Sequence, residues 1–318
     1  MHDPPVSHRV ISDDKEETMT RKVQWLLSLV IVIALAACQP GSGSPVEPSP
    51  TQGGGEPVES PLGPQTPLAP DPQPITFQAP DGQELHGLYY PAAANPAPLV
   101  ILMHWVAGDM SDWYEIAPWL QNRGLANPFP NPANRDWWDP FWFPPAPSGV
   151  SYGVFIFSLR GCSPGPQGCP TWTPPEWLLD VQAAMFTAAQ LEGVDPARIA
   201  TVGASIGGDG AIDGCIFLNE QMPGSCRGAA SLSPGGYLNT PYPEAVTTLT
   251  QQQPPSSAWC LVDPNNQYDV PACSNISAAQ YRRLDFPDGG HGMSLFRQEV
   301  SPSAMQALLD FLAETLGP

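Results

Sequence analysis

Positive charge is what this chain of 318 residues has least of. It contains 12 Lys and Arg residues against 31 Asp and Glu, which gives a formal net charge of −19. Lysine occurs only at positions 15 and 22, both before Cys38. A surface with such an excess of acid repels the phosphates of nucleic acids and of anionic lipid headgroups. The composition therefore argues against nucleic acid or an anionic surface as a partner.

Metal-binding spacing is also missing. None of the 7 cysteines forms a C-x-x-C pair, and no histidine cluster accompanies them as in structural zinc sites. We expect no metal, and nothing in the sequence implies a cofactor. With Cys38 set aside, the other cysteines fall into near pairs, and disulfides persist outside the cytosol. We predict three local bridges, although six cysteines allow other pairings: Cys162–Cys169, Cys215–Cys226 and Cys260–Cys273.

The N-terminal region has the layout of a secretory signal. Residues 1–18 are polar without periodicity, and we interpret them as a leader outside the native protein. Residues 19–38, MTRKVQWLLSLVIVIALAAC, have a basic start and an apolar stretch too short for a comfortable membrane span. Their Leu-Ala-Ala-Cys ending resembles bacterial lipoprotein signals, in which the cysteine is lipidated. We expect lipid on Cys38 and anchoring to the outer face of a bacterial membrane. The alternative is an ordinary signal peptide with an incidental cysteine.

The rest of the chain divides into a linker and one domain. Residues 39–74 consist largely of Pro, Gly, Ser, Thr and Gln, a composition that buries too little apolar surface to fold. We predict that they form a disordered tether. Residues 75–318 are long enough to build one substantial core, and we predict a single domain there.

Apolar runs alternate with helical patterns along residues 75–318. Asp81 and Gly82 lie between two alternating stretches, which predicts an N-terminal β-hairpin. Later runs such as APLVILM and GVFIF are continuously apolar, as in buried parallel strands. Helical segments separate them, including SDWYEIAPWLQNRG, from Ser111 to the closing Gly124, and the amphipathic SPSAMQALLDFLAETL near the C-terminus. The pattern predicts an α/β fold with a mainly parallel sheet covered by helices on both faces.

One segment does not follow this alternation. Residues 125–151, LANPFPNPANRDWWDPFWFPPAPSGVS, are rich in proline and aromatic residues and show neither period. One interpretation is a surface excursion whose aromatic side chains pack on the flank of the domain. The other is a lid or rim that forms an apolar wall over a site, since long loops of this kind are often functional.

A candidate nucleophile lies in TVGASIGGDG. Here Ser205 occupies the centre of a G-x-S-x-G motif, after a predicted strand and before a predicted helix. The turn between them is so sharp that the residues beside the serine must be small. The following helix also directs backbone N–H groups and a positive dipole toward the hydroxyl. A plain glycine-rich turn is the alternative.

A serine nucleophile needs a base. The chain has 5 histidines, of which two precede the predicted signal. His291, in FPDGGHGM after the last predicted strand, fits the Ser…acid…His order of this class of enzyme. His86 lies in the predicted hairpin, so we expect it to be structural or on the surface. His104 ends the first buried strand, and we expect it to position the following loop, with substrate contact as the alternative role.

Four segments together resemble the α/β-hydrolases of the dienelactone-hydrolase-like and peptidase-S9-like kinds: HWVAGDMSDW, SLRGCS, VDPARIATVGASIGGDGA and FPDGGHGM. The resemblance covers the chain from about residue 87 to the C-terminus. It implies that the loop after the first central strand supplies one oxyanion-hole N–H, from Trp105 or Val106. It implies a second from Ile206, the residue after the nucleophile. Such donors stabilise the charge that develops in acyl transfer.

The acid of the predicted triad is less clear. These families carry an Asp in the pattern G-x-x-D-x-x-V-P after a strand, and the matching stretch is AWCLVDPNNQYDVP. Without gaps, the acid position falls on Gln267, which cannot stabilise an imidazolium as a carboxylate does. Asp269 and Asp263 lie on either side of it, and the predicted Cys260–Cys273 bridge could present either one. We favour Asp269, with Asp263 as its rival and Glu244 as a more distant candidate.

These features predict a secreted, lipid-anchored serine hydrolase that cleaves a carboxylic ester or a related acyl compound through an acyl-enzyme. Its partners would be a small-molecule substrate and, through the lipid alone, a membrane, and we expect a monomer. The alternative is a non-catalytic binding lipoprotein that kept the fold and lost the acid. A peptidase is a further alternative.

Overall fold

The computed structural model describes residues 65–132, 134–164 and 167–317. The predicted leader, the predicted signal with Cys38, and residues 39–64 of the predicted tether lie outside this range. Within it, no helix has both the length and the apolar character that crossing a membrane requires.

An eight-stranded sheet forms the centre of the described domain, in the order β1-β2-β4-β3-β5-β6-β7-β8. β1 and β2 form the predicted hairpin, and β2 also pairs antiparallel with β4. The remaining pairs are parallel. The strands are β1 Gln73–Gln78, β2 Glu84–Tyr90, β3 Ala97–Met103, β4 Gly153–Phe157, β5 Val194–Ala204, β6 Cys226–Leu232, β7 Ser257–Val262 and β8 Tyr281–Asp285.

Helices cover both faces of this sheet because the central strands are apolar on both sides. Every residue of β3 and of β4 is buried. One core lies under α2, α3 and α4, and a second lies under α1 and α5. The predicted α/β class with a mainly parallel, doubly covered sheet is confirmed. The helices are α1 Ile116–Gln121, α2 Pro174–Ala188, α3 Ile206–Gln221, α4 Tyr242–Gln251 and α5 Ala304–Leu316.

Three local features differ from the sequence predictions. The sequence predicts one helix from Ser111 to Gly124, but the structure has a 3₁₀ turn followed by the short α1. Pro118 lacks the N–H that would continue the helical ladder back to Tyr114. The helix α4 was not predicted, because its threonines have low helix propensity. The domain also starts earlier than predicted, since β1 begins at Gln73. Residues 65–70 already form hydrogen bonds with the rest of the domain, both as donors and as acceptors.

The aromatic insertion, residues 125–151, packs on the domain. Its described residues, 125–132 and 134–151, contain one 3₁₀ turn, Pro140–Trp142, and otherwise no helix or strand. Trp137, Trp138 and Phe143 are buried in the core shared with α1 and α5, whereas Phe141 is 94% exposed. The segment is therefore held by its own aromatic side chains despite lacking a helix or strand period.

The six cysteines of the domain are joined in the pairs that the sequence predicts. Cys215 of α3 is bound to Cys226 of β6, and Cys260 of β7 to Cys273 in the loop after it. The bridge between Cys162 and Cys169 closes a loop after β4. The Cys162–Cys169 and Cys260–Cys273 bridges therefore constrain loops that follow strands, whereas Cys215–Cys226 joins α3 to the first residue of β6.

Candidate active site

The residues proposed for catalysis all lie in loops that follow parallel strands. His104, Trp105 and Val106 come directly after β3, and Ser205 comes directly after β5. The two candidate acids follow β7, and His291 follows β8. Because the carboxyl ends of parallel strands share one edge of the sheet, the fold gathers these loops on the same side.

Ser205 occupies the sharp turn between β5 and α3. Its backbone has φ 53° and ψ −119°, a conformation that costs energy for a residue with a side chain. A β-carbon on Gly203 would overlap the carbonyl oxygen of Gly207, and one on Gly207 would overlap the carbonyl oxygens of Met103 and His104. The G-x-S-x-G spacing is therefore required by close backbone contacts on both sides of the serine.

The start of α3 leaves a donor free beside this serine. The N–H groups of Gly208 and Asp209 bond to the Ser205 carbonyl, at 2.8 and 3.2 Å. Ile206 is the first residue of the helix, so its N–H has no acceptor within the helical ladder. This group is available to a ligand at the serine.

Asp269 and His291 form a close pair. The imidazole Nδ1 lies 2.9 and 2.8 Å from the two carboxylate oxygens of Asp269. The carboxylate is 1% exposed, whereas the histidine side chain is 35% exposed. Asn266 donates its side-chain N–H to Asp269 Oδ2 at 2.6 Å. A carboxylate beside Nδ1 favours the tautomer with its proton on Nδ1. Nε2 is then free to accept a proton from another group.

The loop between β7 and Asp269 explains why an ungapped alignment misplaces the acid. Its backbone coils, with the N–H groups of Asp269 and Val270 both bonded to the Asn266 carbonyl, at 3.2 and 3.1 Å. The Cys260–Cys273 bridge ties the end of the coil back to β7. The acid therefore reaches the histidine two positions later in sequence than Gln267.

The two rival acids have other contacts. Asp263 accepts from the N–H of Asn265 and from the N–H of Gly290, both at 2.9 Å. It therefore binds the segment directly before His291 rather than the imidazole. Glu244 is an exposed residue in the first turn of α4, where the helix dipole favours an acid.

The loop after β3 carries the predicted oxyanion donors. In the described part of the chain, the N–H groups of Trp105 and Val106 donate to no backbone acceptor. The Trp105 indole stacks beside the His291 ring, with centroids 6.4 Å apart and planes 24° apart. The loop and the histidine are therefore in direct contact.

His104 is a structural residue of this loop. It is fully buried; its Nδ1 lies 2.7 Å from the Trp105 carbonyl, and its Nε2 accepts the Leu159 N–H at 3.0 Å. One nitrogen must donate and the other must accept, which only the neutral ring can do. Burial lowers the pKa of His104, in agreement with a neutral ring.

Comparison with curated proteins identifies uncharacterized relatives. No protein-family model matches the chain. Uncharacterized protein YfhR of Salmonella typhi is 26% identical over 197 residues, which cover 59% of this chain and 55% of that protein. Uncharacterized protein YfhR of Escherichia coli K12 is 27% identical over 272 residues, which cover 78% of this chain and 84% of that protein.

Solved structures show the fold. A dienelactone hydrolase-like promiscuous phosphotriesterase, P91, from metagenomic libraries matches 78% of this chain and 99% of its own at a TM-score of 0.53 and 12% identity. The esterase Pf2001 of Pyrococcus furiosus matches 78% of this chain and 92% of its own, with a TM-score of 0.52 and 12% identity. The carboxylesterase EstE1, from a metagenomic library, matches 80% of this chain and 90% of its own, with a TM-score of 0.50 and 17% identity. The chain has the α/β-hydrolase fold.

Sequence reasoning missed two buried acids in this α/β-hydrolase fold. Asp209, one turn after Ser205, accepts from the backbone N–H groups of three consecutive residues after β6: Gly235, Gly236 and Tyr237. Burial raises the pKa of Asp209 to about 6 and that of Asp213 to about 7. Their signal in the sequence is two acids four residues apart among the small and apolar residues of the first three turns of α3. Asp209 fixes the loop after β6 at the edge that carries the site.

One group in the described residues resembles a metal site by distance. His104, Cys162 and Cys169 lie close together. The two cysteines are bound to each other, and both ring nitrogens of the histidine already contact backbone groups. The group offers no thiolate and no free imidazole nitrogen, so it does not fit a zinc ion.

Proposed function

We propose that the protein is a serine hydrolase that cleaves a carboxylic ester or a related acyl compound. The observation that carries the proposal is the Asp269–His291 pair at the same sheet edge as Ser205 in its strained turn. The contact between Ser205 and His291 is part of the proposal. The esterases and the dienelactone hydrolase-like protein among the structural neighbours favour the same class.

The proposed reaction has two halves. His291 Nε2 removes the proton of the Ser205 hydroxyl while the oxygen attacks the ester carbonyl carbon. The N–H groups of Ile206 and of Trp105 or Val106 stabilise the resulting oxyanion. Collapse expels the alcohol, which takes its proton from His291 and leaves an acyl group on the serine. Water then repeats the sequence and releases the acid.

The roles of the two proposed charge-stabilising regions differ. Asp269 keeps the Nδ1 proton on the imidazole and stabilises the imidazolium formed when Nε2 takes the serine proton. The backbone donors act on the opposite charge, on the carbonyl oxygen of the substrate. Removing either should lower kcat more than it changes KM, because both charges exist only after the attack begins.

Hydrolysis of p-nitrophenyl acetate and butyrate tests the proposal. We expect wild-type turnover with a burst of nitrophenol, and its loss in Ser205→Ala. Ser233→Ala is the matched control, since this serine also follows a strand with positive φ but is fully buried. Folded wild-type protein that hydrolyses neither ester, with peptide substrates also untouched, would leave the binding-protein alternative instead. Turnover of peptides alone would indicate the peptidase.

We also propose that the protein is exported, anchored by lipid on Cys38 and monomeric. The three disulfides favour export, because such bonds persist in oxidising compartments. In a bacterial host with lipoprotein export, the full chain should incorporate palmitate and fractionate with membranes. Cys38→Ser should incorporate none and become soluble. Equal membrane association of both proteins would contradict the anchor.

A further inference from the structure

Arg135 connects the aromatic insertion to the loop that carries the proposed oxyanion donors. Its Nε donates to Asp112 Oδ1 at 3.2 Å, and its Nη2 donates to the carbonyl oxygen of Ala107. The guanidinium also lies 5.6 Å from the ring centroid of Trp105 and 5.7 Å from that of Trp137. A single side chain from residues 125–151 thus touches both the backbone and the indole of that loop.

The acid that receives Arg135 is shared with the same indole. Asp112 is 1% exposed, and its second oxygen accepts the Trp105 Nε1–H at 3.0 Å. Its backbone carbonyl accepts the Trp137 Nε1–H at 3.1 Å. Burial raises the pKa of Asp112 to about 7, and Arg135 and the Trp105 N–H oppose that rise. The arginine therefore holds the acid that holds the indole beside His291.

Three consecutive carbonyls of this loop are fixed from three directions. His104 Nδ1 donates to the carbonyl of Trp105 at 2.7 Å, and the Cys169 N–H donates to that of Val106 at 2.9 Å. Arg135 donates to the third, on Ala107. These donors come from the loop itself, from the Cys162–Cys169 loop and from the insertion.

Fixing carbonyls fixes the N–H groups on the other side of each peptide plane. A trans peptide unit is planar, so its N–H points opposite to its C=O. The bond to the Trp105 carbonyl orients the Val106 N–H, and the bond to the Ala107 carbonyl orients the Gly108 N–H. The Gly108 N–H donates to the Trp105 carbonyl at 3.3 Å, and this bond closes the turn. Arg135 thus holds the end of the turn whose start presents the free N–H groups of Trp105 and Val106.

We propose that Arg135 is a positioning residue for the oxyanion-stabilising N–H groups and that residues 125–151 form a fixed brace for them. The inference rests on the proposed function, because it concerns the same site. Preorganised donors contribute to catalysis by being held in place before charge develops. The burial of Trp137 and Trp138 and the buried Asp112 partner hold the segment in this position. This role goes beyond the surface excursion and the lid that the sequence suggests.

The test compares two arginines that both donate to backbone carbonyls. Arg135→Ala should lower kcat for p-nitrophenyl butyrate by roughly 10- to 100-fold, with KM changed by less than about threefold. Arg123→Ala is the control, since Arg123 donates to the carbonyls of Leu68 and Pro91, away from this loop. Its kcat should stay within about twofold of wild type.

Chemical rescue separates positioning from mere structural support. Ethylguanidinium, at concentrations that do not unfold the protein, should restore part of kcat in Arg135→Ala and leave wild type and Arg123→Ala unchanged. Arg135→Lys covers the case in which the alanine variant does not fold. A lysine cannot bond Asp112 and Ala107 with the planar fork of an arginine, so its kcat should fall by roughly tenfold.

The outcomes distinguish this inference from the proposed function. Wild-type protein without hydrolase activity would overturn both. Active wild-type protein with unchanged kcat in folded Arg135→Ala or Arg135→Lys would overturn the inference alone. A loss confined to KM, or a loss of kcat that matches the loss of folded protein by near-UV circular dichroism, would also overturn it.

Discussion

His291 and His104 lie in loops at the same edge of the sheet, yet their surroundings differ. His291 keeps one nitrogen on the buried carboxylate of Asp269, and about a third of its side chain is exposed. His104 is fully buried, with one nitrogen against the carbonyl of Trp105 and the other accepting from Leu159. The proposed function assigns the first a role in proton transfer with the substrate. The second is fixed as a neutral link between two segments of backbone.

The contrast shows that position at a strand end does not by itself make a histidine catalytic. The partners of the two ring nitrogens decide the role, because they determine which protonation states are available. The same holds for the loops around them. The loop after β7 supports His291 through the side chain of Asp269, whereas the loop after β3 is held through its backbone by donors from three segments.

The largest expected effect concerns the acid partner of His291. Asp269→Asn removes the charge that stabilises the imidazolium and reverses the favoured tautomer, so kcat should fall by roughly 10²- to 10⁴-fold. Asp263→Asn, which changes an acceptor of backbone N–H groups, should lower kcat by less than about tenfold. Steady-state kinetics on p-nitrophenyl butyrate measure both. Equal losses in the two variants would remove the distinction between the acids.

For His104 we expect the main effect on stability. His104→Ala leaves the buried Leu159 N–H without its partner, removes one of the two donors to the Trp105 carbonyl, and opens a cavity. It should therefore lower the free energy of unfolding by about 2–4 kcal/mol. Urea denaturation followed by tryptophan fluorescence measures this. A loss below about 0.5 kcal/mol would mean that His104 is not the buried link described above.

A smaller, pH-dependent effect concerns Asp213, whose Oδ2 is buried without a hydrogen-bond partner. Burial and the neighbouring Asp209 raise the pKa of Asp213 from its ordinary value near 3.8 to about 7. The folded protein therefore holds the proton more tightly than the unfolded chain, and this group lowers stability as pH rises from about 4 to 7.

Asp213→Asn removes that ionisation. Asp213 differs from His104 because its Oδ2 has no hydrogen-bond partner, whereas both ring nitrogens of His104 have one. The gain in Tm over wild type should be larger at pH 8 than at pH 5, and the difference should correspond to more than about 1 kcal/mol. Thermal denaturation at the two pH values measures it. An equal shift at both would contradict the assigned direction of the pKa change.

The smallest effect is expected at the remaining histidine of the described domain. His86 is exposed on the hairpin, with its ring 3.6 Å from Glu84. Exposed pairs of this kind contribute little, so His86→Ala should change the free energy of unfolding by less than about 0.5 kcal/mol and leave kcat unchanged. A tenfold loss of kcat would show that the comparison of His291 with His104 omits a functional histidine.

The sequence identified what depends on local spacing and missed what depends on packing. Ser205 lies in a short motif in which Gly203 is required by a contact with Gly207, and the chain order favoured His291. The contact of Gly207 with the backbone of Met103 and His104 is evident only in the fold. The choice between Asp269 and Asp263 depends on how the loop after β7 coils, which no short pattern encodes. The link between Arg135 and Asp112 joins residues 23 positions apart without a motif. It became visible only when the insertion was placed on the domain.

The most direct test of the central account is to map the site of fluorophosphonate labelling by mass spectrometry and to measure its rate. The account predicts an adduct on Ser205, no adduct in Ser205→Ala, and much slower labelling in Asp269→Asn than in Asp263→Asn. An adduct on another residue, or labelling of Asp269→Asn at the wild-type rate, would contradict the activation of Ser205 by His291 and Asp269.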